Sequence, residues 1–351
     1  MTRSILYIAP TFLAYRLHKR IRGVQVFDLA FAPELASLAD RVVVPADWSW
    51  RHRLREYFAA APPSLKVRYT PPLFRPLWNA LTLPALIHQR FDYTFLGNPA
   101  RGVMPGLALL RARGLTGQIV LQANRAPRHA VARQLAKWGC IFTAVSQQVA
   151  DQFPEELRDR VSVFYGVIGA GAFHPPKATR PDDGLVHFGL VGKLDNAWKG
   201  ADRAVAAFAD LPAEVRVKAR LHLLSFGDDR TIADPCVVCH PWMPTEAVPE
   251  FLRSLDVMLV PSFGPQETFS QSIVQGMLTE LPIIASDLPV LTEKLTAGGG
   301  IIAGDHAALV NAVTDLVRDP ARRKSLGQEA RRTALSRYIW DSAEFVRRFM
   351  N

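Results

Sequence analysis

Short apolar runs recur along the chain, and most do not alternate with polar residues. Ser4-Ile-Leu-Tyr-Ile-Ala-Pro10, Ile119-Val-Leu-Gln122, Cys140-Ile-Phe-Thr-Ala-Val-Ser146, Val257-Met-Leu-Val260 and Leu281-Pro-Ile-Ile-Ala-Ser286 are examples. Runs of this kind suit parallel strands covered on both faces. Between them lie stretches with apolar residues at helical spacing. Val26 to Ala39 predicts an amphipathic helix, kinked or restarted at Pro33. Phe269 to Leu278, Ala307 to Arg318 and parts of Ala321 to Met350 predict further helices, and Gly298-Gly299-Gly300 predicts a turn. Strand–helix alternation on this scale implies right-handed βαβ units and an α/β fold.

A chain of 351 residues, 49% of them hydrophobic, has the length and apolar content for two cores. Pro175-Pro-Lys-Ala-Thr-Arg-Pro-Asp-Asp-Gly184 is rich in Pro, Gly and charge, and it falls at mid-chain. Two doubly wound Rossmann-like domains are therefore expected, residues 1–175 and 176–351. No apolar run approaches the roughly 18 residues of a membrane span. Met1 to Pro10 lacks the pattern of a signal peptide, so the expected location is cytoplasmic. Three cysteines permit no disulfide framework. Cys236-Val-Val-Cys239-His240 matches a haem-attachment pattern, but that chemistry needs export. A strand with small buried thiols is the better reading.

The segment with most chemistry is Pro261 to Asp287. It reads as a strand end, a Gly/Pro loop, the acidic Glu267, a helix and another buried strand. A helix opening near Ser270 leaves its first N–H groups without partners, which makes an anion site. Parallel sheets bind ligands at the carboxyl ends of their strands, and this loop lies at one. An ordinary βαβ crossover would read the same way.

This segment resembles the family-4 (group 1) retaining glycosyltransferases of the GT-B fold. Their pattern is Pro-Ser, a loop, Glu-Gly-Phe-Gly, an apolar stretch, Glu-Ala-Met, then Leu-Pro-Val-Ile-Ala-Ser. Here stand Pro261-Ser262, Glu267-Thr268-Phe269-Ser270, Gln275-Gly276-Met277 and Leu281-Pro-Ile-Ile-Ala-Ser286. The second Glu is replaced by Gln275, and both loop glycines by Thr268 and Ser270. Val186 to Leu194, ending in Gly192-Lys193-Leu194, resembles the strand before the family's Gly-Arg-Leu, and Lys199-Gly200 its Lys-Gly. Leu221 to Asp228, Asp256 to Ser262 and Ser336 to Asp341 match further segments in order. The first half is more weakly similar, through Gly23, Ser146 and Gly166-Val167. Where the family carries a catalytic-domain His, this chain offers Asn124 and Arg125, the candidate acceptor-side residues.

The resemblance implies two facing domains, an acceptor-binding first and a nucleotide-sugar-binding second. It also implies a last helix, about 341–350, that crosses back to the first. It implies transfer of a sugar, with retained configuration and no metal, from a nucleotide-diphosphate sugar to a glycan or lipid-linked acceptor. No cofactor is expected. Breaking the sugar–phosphate bond builds charge on the leaving diphosphate, and fixed cations aimed there lower the barrier. Lys193 and Lys199 are the candidates, with Glu267 on the donor sugar. An exposed lysine in a cleft supports little of the core, so replacing Lys199 should cost far more in donor turnover than in stability. Gly23, Gly192, Thr268, Phe269, Ser270, Gln271 and Gln275 are the remaining donor-side candidates, Gln275 at the ribose. Trp242 either stacks on the base or packs in the core.

Charge is uneven. Residues 1–175 hold 22 Lys+Arg and 10 Asp+Glu, a balance of +12. The other 20 and 22 leave −2, and the sum is +10. Asp47-Trp48-Ser-Trp50-Arg51-His-Arg53-Leu-Arg55-Glu-Tyr57 interleaves cations with aromatics, and Leu73 to Leu86 follows. This suits an anionic membrane surface on its inner face, or an acidic acceptor; a solvated basic face with tryptophans packed inward is the alternative. No nucleic-acid motif is present. Two other functions stay open: an idle nucleotide-sugar-binding protein, and another GT-B enzyme such as an epimerase. A dehydrogenase would need Gly-x-Gly-x-x-Gly after the first strand, where only Gly23 stands.

Overall fold

The computed structural model describes residues 3–9, 12–13, 23–70, 87–97, 101–177, 182–225 and 231–351. Pro10, the loop before Gly23, the whole Leu73–Leu86 segment, Gly227-Asp228 and the middle of the Pro175–Gly184 stretch lie outside them. The chain divides into two units, Met1–Ile168 with Trp340–Asn351, and Gly169–Ile339. The division at Ile168/Gly169 precedes the 175/176 boundary expected from composition.

The first unit is built on a seven-stranded sheet. Its strands are β1 (Ser4–Ile8), β2 (Arg41–Asp47), β3 (Leu65–Thr70), β4 (Tyr93–Gly97), β5 (Gln118–Ala123), β6 (Ile141–Ala144) and β7 (Val161–Val163). The order is β3-β2-β1-β4-β5-β6-β7, with every pairing parallel. The central strands are buried along nearly their whole length, as non-alternating runs require. The first helix runs unbroken from Gly23 to Leu38 and carries Pro33 inside it. The kink or restart expected at Pro33 does not divide it, and Gly23 is its first residue.

The helix Ser342–Phe349 belongs to this unit. Trp340, Phe345 and Phe349 join the core of Tyr7, Phe31 and Phe95. Phe345 meets Phe31, Phe95 and Phe164 edge-on at centroid distances of 5.5, 5.9 and 5.3 Å. Edge-to-face pairs of this kind add to the burial of their large apolar area.

The second unit carries six strands: β8 (Val186–Gly192), β9 (Ala219–Ser225), β10 (Val237–His240), β11 (Val257–Val260), β12 (Ile283–Ala285) and β13 (Gly300–Ile302). Their order is β10-β9-β8-β11-β12-β13, again all parallel. The connections run outward both ways from β8 and β11, so both sheets are doubly wound and each reverses order once. Helices Ala201–Ala209 and His306–Arg318 pack on one another over one core, and Gln271–Leu278 packs against Pro320–Arg337.

Candidate functional site

The reversal of strand order between β8 and β11 opens a crevice at their carboxyl ends. Pairing of Val257 with Phe188 and Met258 with Gly189 brings the loops that follow close together. Gly200 lets them touch. Its φ is +76°, and a Cβ there would lie 2.1 Å from the Pro261 carbonyl oxygen. Only glycine satisfies both demands. Gly192, at φ +155°, lies beside the Lys199 stem; a Cβ would stand 3.7 Å from Lys199 Cε.

Lys199 is thereby set against the acidic loop. Its Nζ donates to Glu267 Oε2 at 2.6 Å, and the Ser262 hydroxyl donates to the same oxygen at 3.4 Å. The ammonium also stands 4.5 Å from the centre of the Trp198 ring. Ser286 donates its hydroxyl to the Ser262 carbonyl and ties this loop to the end of β12. The side chains of Lys199 and Glu267 are only 16% and 7% exposed. Water screens such a pair weakly, so each charge depends on the other. The premise that Lys199 is an exposed loop lysine with little part in stability therefore does not hold. Lys193, more exposed, pairs with Asp195 of its own loop at 3.0 Å.

Ser270 precedes the helix Gln271–Leu278 and has φ 57° and ψ 75°, the left-handed region. The serine thus keeps the conformation that a glycine would adopt freely, at a cost of about 1–2 kcal/mol. Thr268 is not among the residues with positive φ, so its replacement of glycine carries no such strain. The Ser270 side chain makes no cap bond to the helix; its hydroxyl lies 3.5 Å from that of Ser272. Gln271 and Gln275 are half-buried and four residues apart, hence on one face of that helix. Phe269 is buried.

One participant escaped the sequence reading. Lys294, on the helix Pro289–Leu295, is 0% exposed. Its ammonium stands 4.4 Å from the centre of the Phe269 ring and 5.6 Å from that of Tyr338, and it donates to the Val290 carbonyl at 3.2 Å. Burial pushes its pKa down to about 8, against the upward pull of the Glu293 and Glu267 charges. The signal was a lysine at the spacing of Val290, Leu291 and Leu295, all buried.

The other candidates stand on other elements. Trp242, beyond β10, is 42% exposed, so it does not pack in the core. Asn124, half-buried, and Arg125, exposed, follow β5 in the first unit. In the same unit Trp50 is fully buried while Trp48 is exposed beneath Arg51, whose guanidinium lies 4.7 Å from its ring centre. The two tryptophans expected to act together thus face different surroundings.

Residues 186–319 match the family described as "Glycosyl transferases group 1". No curated protein matches the chain by sequence. The fold is similar over its whole length to several solved structures. Sucrose-phosphate synthase from Thermosynechococcus elongatus superposes with a TM-score of 0.71 at 16% identity, covering 98% of each chain. HepE from Anabaena, in complex with UDP and glucose, gives 0.71 at 16%, covering 99% of this chain and 98% of that one. A UDP-forming α,α-trehalose-phosphate synthase from Burkholderia xenovorans, in complex with glucose-6-phosphate, gives 0.68 at 13%, covering 99% and 100%. The crevice between β8 and β11 therefore lies in residues 186–319, the part of the chain that matches the group 1 glycosyl transferases, and the chain's fold is similar to the GT-B fold of these structures.

Proposed function

We propose that the protein is a retaining glycosyltransferase that takes a sugar from a UDP-sugar and passes it to a glycan or lipid-linked acceptor. The observation that carries this reading is the desolvated Lys199–Glu267 pair at the reversal of strand order in a group 1 domain. UDP is favoured because HepE is described with UDP, and the trehalose-phosphate synthase as UDP-forming.

In this reading the bond between the anomeric carbon and the diphosphate oxygen breaks, and its electron pair leaves with the diphosphate. Lys199 turns to that developing charge, Lys193 adds a second cation, and the first N–H groups of Gln271–Leu278 add a dipole. No metal is needed for this neutralisation. Glu267 accepts from hydroxyls of the donor sugar and steadies the positive charge that grows on it. Gln271 and Gln275 lie on the nucleotide side, with Gln275 at the ribose, and exposed Trp242 stacks on the base. The acceptor enters on the face the diphosphate leaves, which retains configuration. Asn124 and Arg125 belong to the acceptor side. The basic first half favours an acidic or membrane-bound acceptor, reached from the cytoplasm.

The test is a panel of nucleotide sugars, followed by thermal stabilisation and slow donor hydrolysis. A UDP-sugar that both raises Tm and is hydrolysed supports the transferase. Stabilisation without turnover of any donor would favour an idle binder, the reading to which Gln275 in place of a carboxylate gives some weight. A panel with no stabilisation would refute nucleotide-sugar binding.

A further inference from the structure

The helix Pro289–Leu295 spends a core position on a charge. Lys294 is buried with Val290, Leu291 and Leu295, and among the described residues no other lysine is fully buried. A methionine or leucine would fill the same space without desolvating an ammonium, and such replacements are often neutral or stabilising. Local stability thus gives no reason for a lysine here. Its surroundings do. Phe269, whose ring it faces at 4.4 Å, lies between Glu267 and Ser270 in the acidic loop. Tyr338, on the other hand, donates its hydroxyl to the Glu293 carbonyl at 3.3 Å, next to Lys294 in the chain. The charges that act on the ammonium are Glu293 from its own helix and Glu267 from the loop.

We infer that Lys294 is a positioning residue for donor transfer: it holds Phe269 in place through the ring face and gives Glu267 a second counter-charge. This role rests on the transferase reading above. Lys199 is occupied by Glu267 at 2.6 Å. A diphosphate draws Lys199 away and would strand the carboxylate in a site where it is 7% exposed. Stranding a buried charge is costly. Lys294 cannot follow the diphosphate, because it is enclosed by Phe269, Tyr338 and its own helix. It therefore keeps Glu267 compensated while Lys199 works on the leaving group. The role needs the ammonium protonated. Because the folded-state pKa is about 8, turnover should fall as pH rises through that value.

The experiment compares wild type with Lys294→Met, using UDP-glucose as the probe. Three quantities are read from about pH 6 to about pH 10: Tm, the kcat of donor hydrolysis, and KM. Tm of the variant should equal or exceed that of wild type below about pH 8. That advantage should shrink at higher pH, where the wild-type lysine sheds its proton in the folded state before the unfolded one. The kcat should fall by about tenfold or more, as loss of positioning implies, with a smaller change in KM. The alkaline decline seen in wild type should vanish. A variant whose kcat stays within about twofold of wild type would overturn the inference. So would an unchanged alkaline limb, or a kcat loss that merely accompanies a fall in Tm. Wild type that neither binds nor hydrolyses UDP-glucose would refute the UDP-glucose donor reading and this role with it. Failure of the role alone leaves wild-type turnover intact.

Discussion

Replacing Lys199 with Met should damage stability as well as turnover, and a double-mutant cycle with Glu267→Gln separates the two. Lys199→Met leaves a carboxylate that is 7% exposed without its 2.6 Å partner. Removing one member of a buried pair costs about 3–5 kcal/mol. The Ser262 hydroxyl and Lys294 remain near Glu267, so the lower end, about 3 kcal/mol, is expected. For a unit of about 150–250 residues each kcal/mol moves Tm by about 2–4 °C, which gives a fall of about 6–12 °C. Glu267→Gln strands an ammonium that still has the Trp198 face and more access to water, so its cost should be smaller. The double variant removes both charges and should recover about 2 kcal/mol relative to the sum of the singles. Thermal melts of the four proteins measure this coupling. Donor hydrolysis should fall about 10²–10³-fold in Lys199→Met, the loss typical of a fixed group that stabilises developing charge. The double variant should not regain it. Additive Tm changes would mean that the ion pair contributes nothing to folding. Near-normal hydrolysis in Lys199→Met would remove Lys199 from the diphosphate.

Ser270→Gly should raise stability by up to about 1 kcal/mol by relieving a left-handed residue, less glycine's extra unfolded-state entropy; a lower Tm would show that the Ser270 hydroxyl outweighs the strain. Gln275→Glu should preserve or tighten UDP binding, since a carboxylate makes charge-assisted bonds to ribose hydroxyls about twice as strong as neutral ones. Calorimetry decides, and a strong loss of binding would mean the site is rebuilt around a neutral amide. Arg51→Ser, Arg53→Ser and Arg55→Ser together should weaken sedimentation with anionic vesicles by up to about 3 kcal/mol, at about 1 kcal/mol per arginine. Of Trp48 and Trp50, Trp48 alone is exposed to assist. Equal binding to neutral and anionic vesicles, or none to either, would leave this a solvated basic face.

The hydrophobic pattern alone carried the architecture. Non-alternating runs such as Val257–Val260 and Ile119–Gln122 suit strands buried on both faces, and their alternation with helical stretches implies doubly wound parallel sheets. Periodicity is local, so a linear sequence displays it. The acidic loop was legible for a similar reason: Glu267, the helix after it and the strand on each side occupy one short segment. What the sequence withheld was everything set by contact at a distance. Lys199 and Glu267 are 68 residues apart, and only the reversal of strand order between β8 and β11 joins them. That contact turns a loop lysine into half of a buried pair. Gly200 reads as a loop glycine until the Pro261 carbonyl fills the space beside it. Ser270 gives no sign of a left-handed backbone, because its dihedral angles are imposed by the loop and helix that it joins. Trp48 and Trp50, two residues apart, differ completely in burial because Trp50 enters a core shared with Phe12 and Phe31. Lys294 is the sharpest case: its helix places it inward, but only the folded chain sets the rings of Phe269 and Tyr338 against its ammonium.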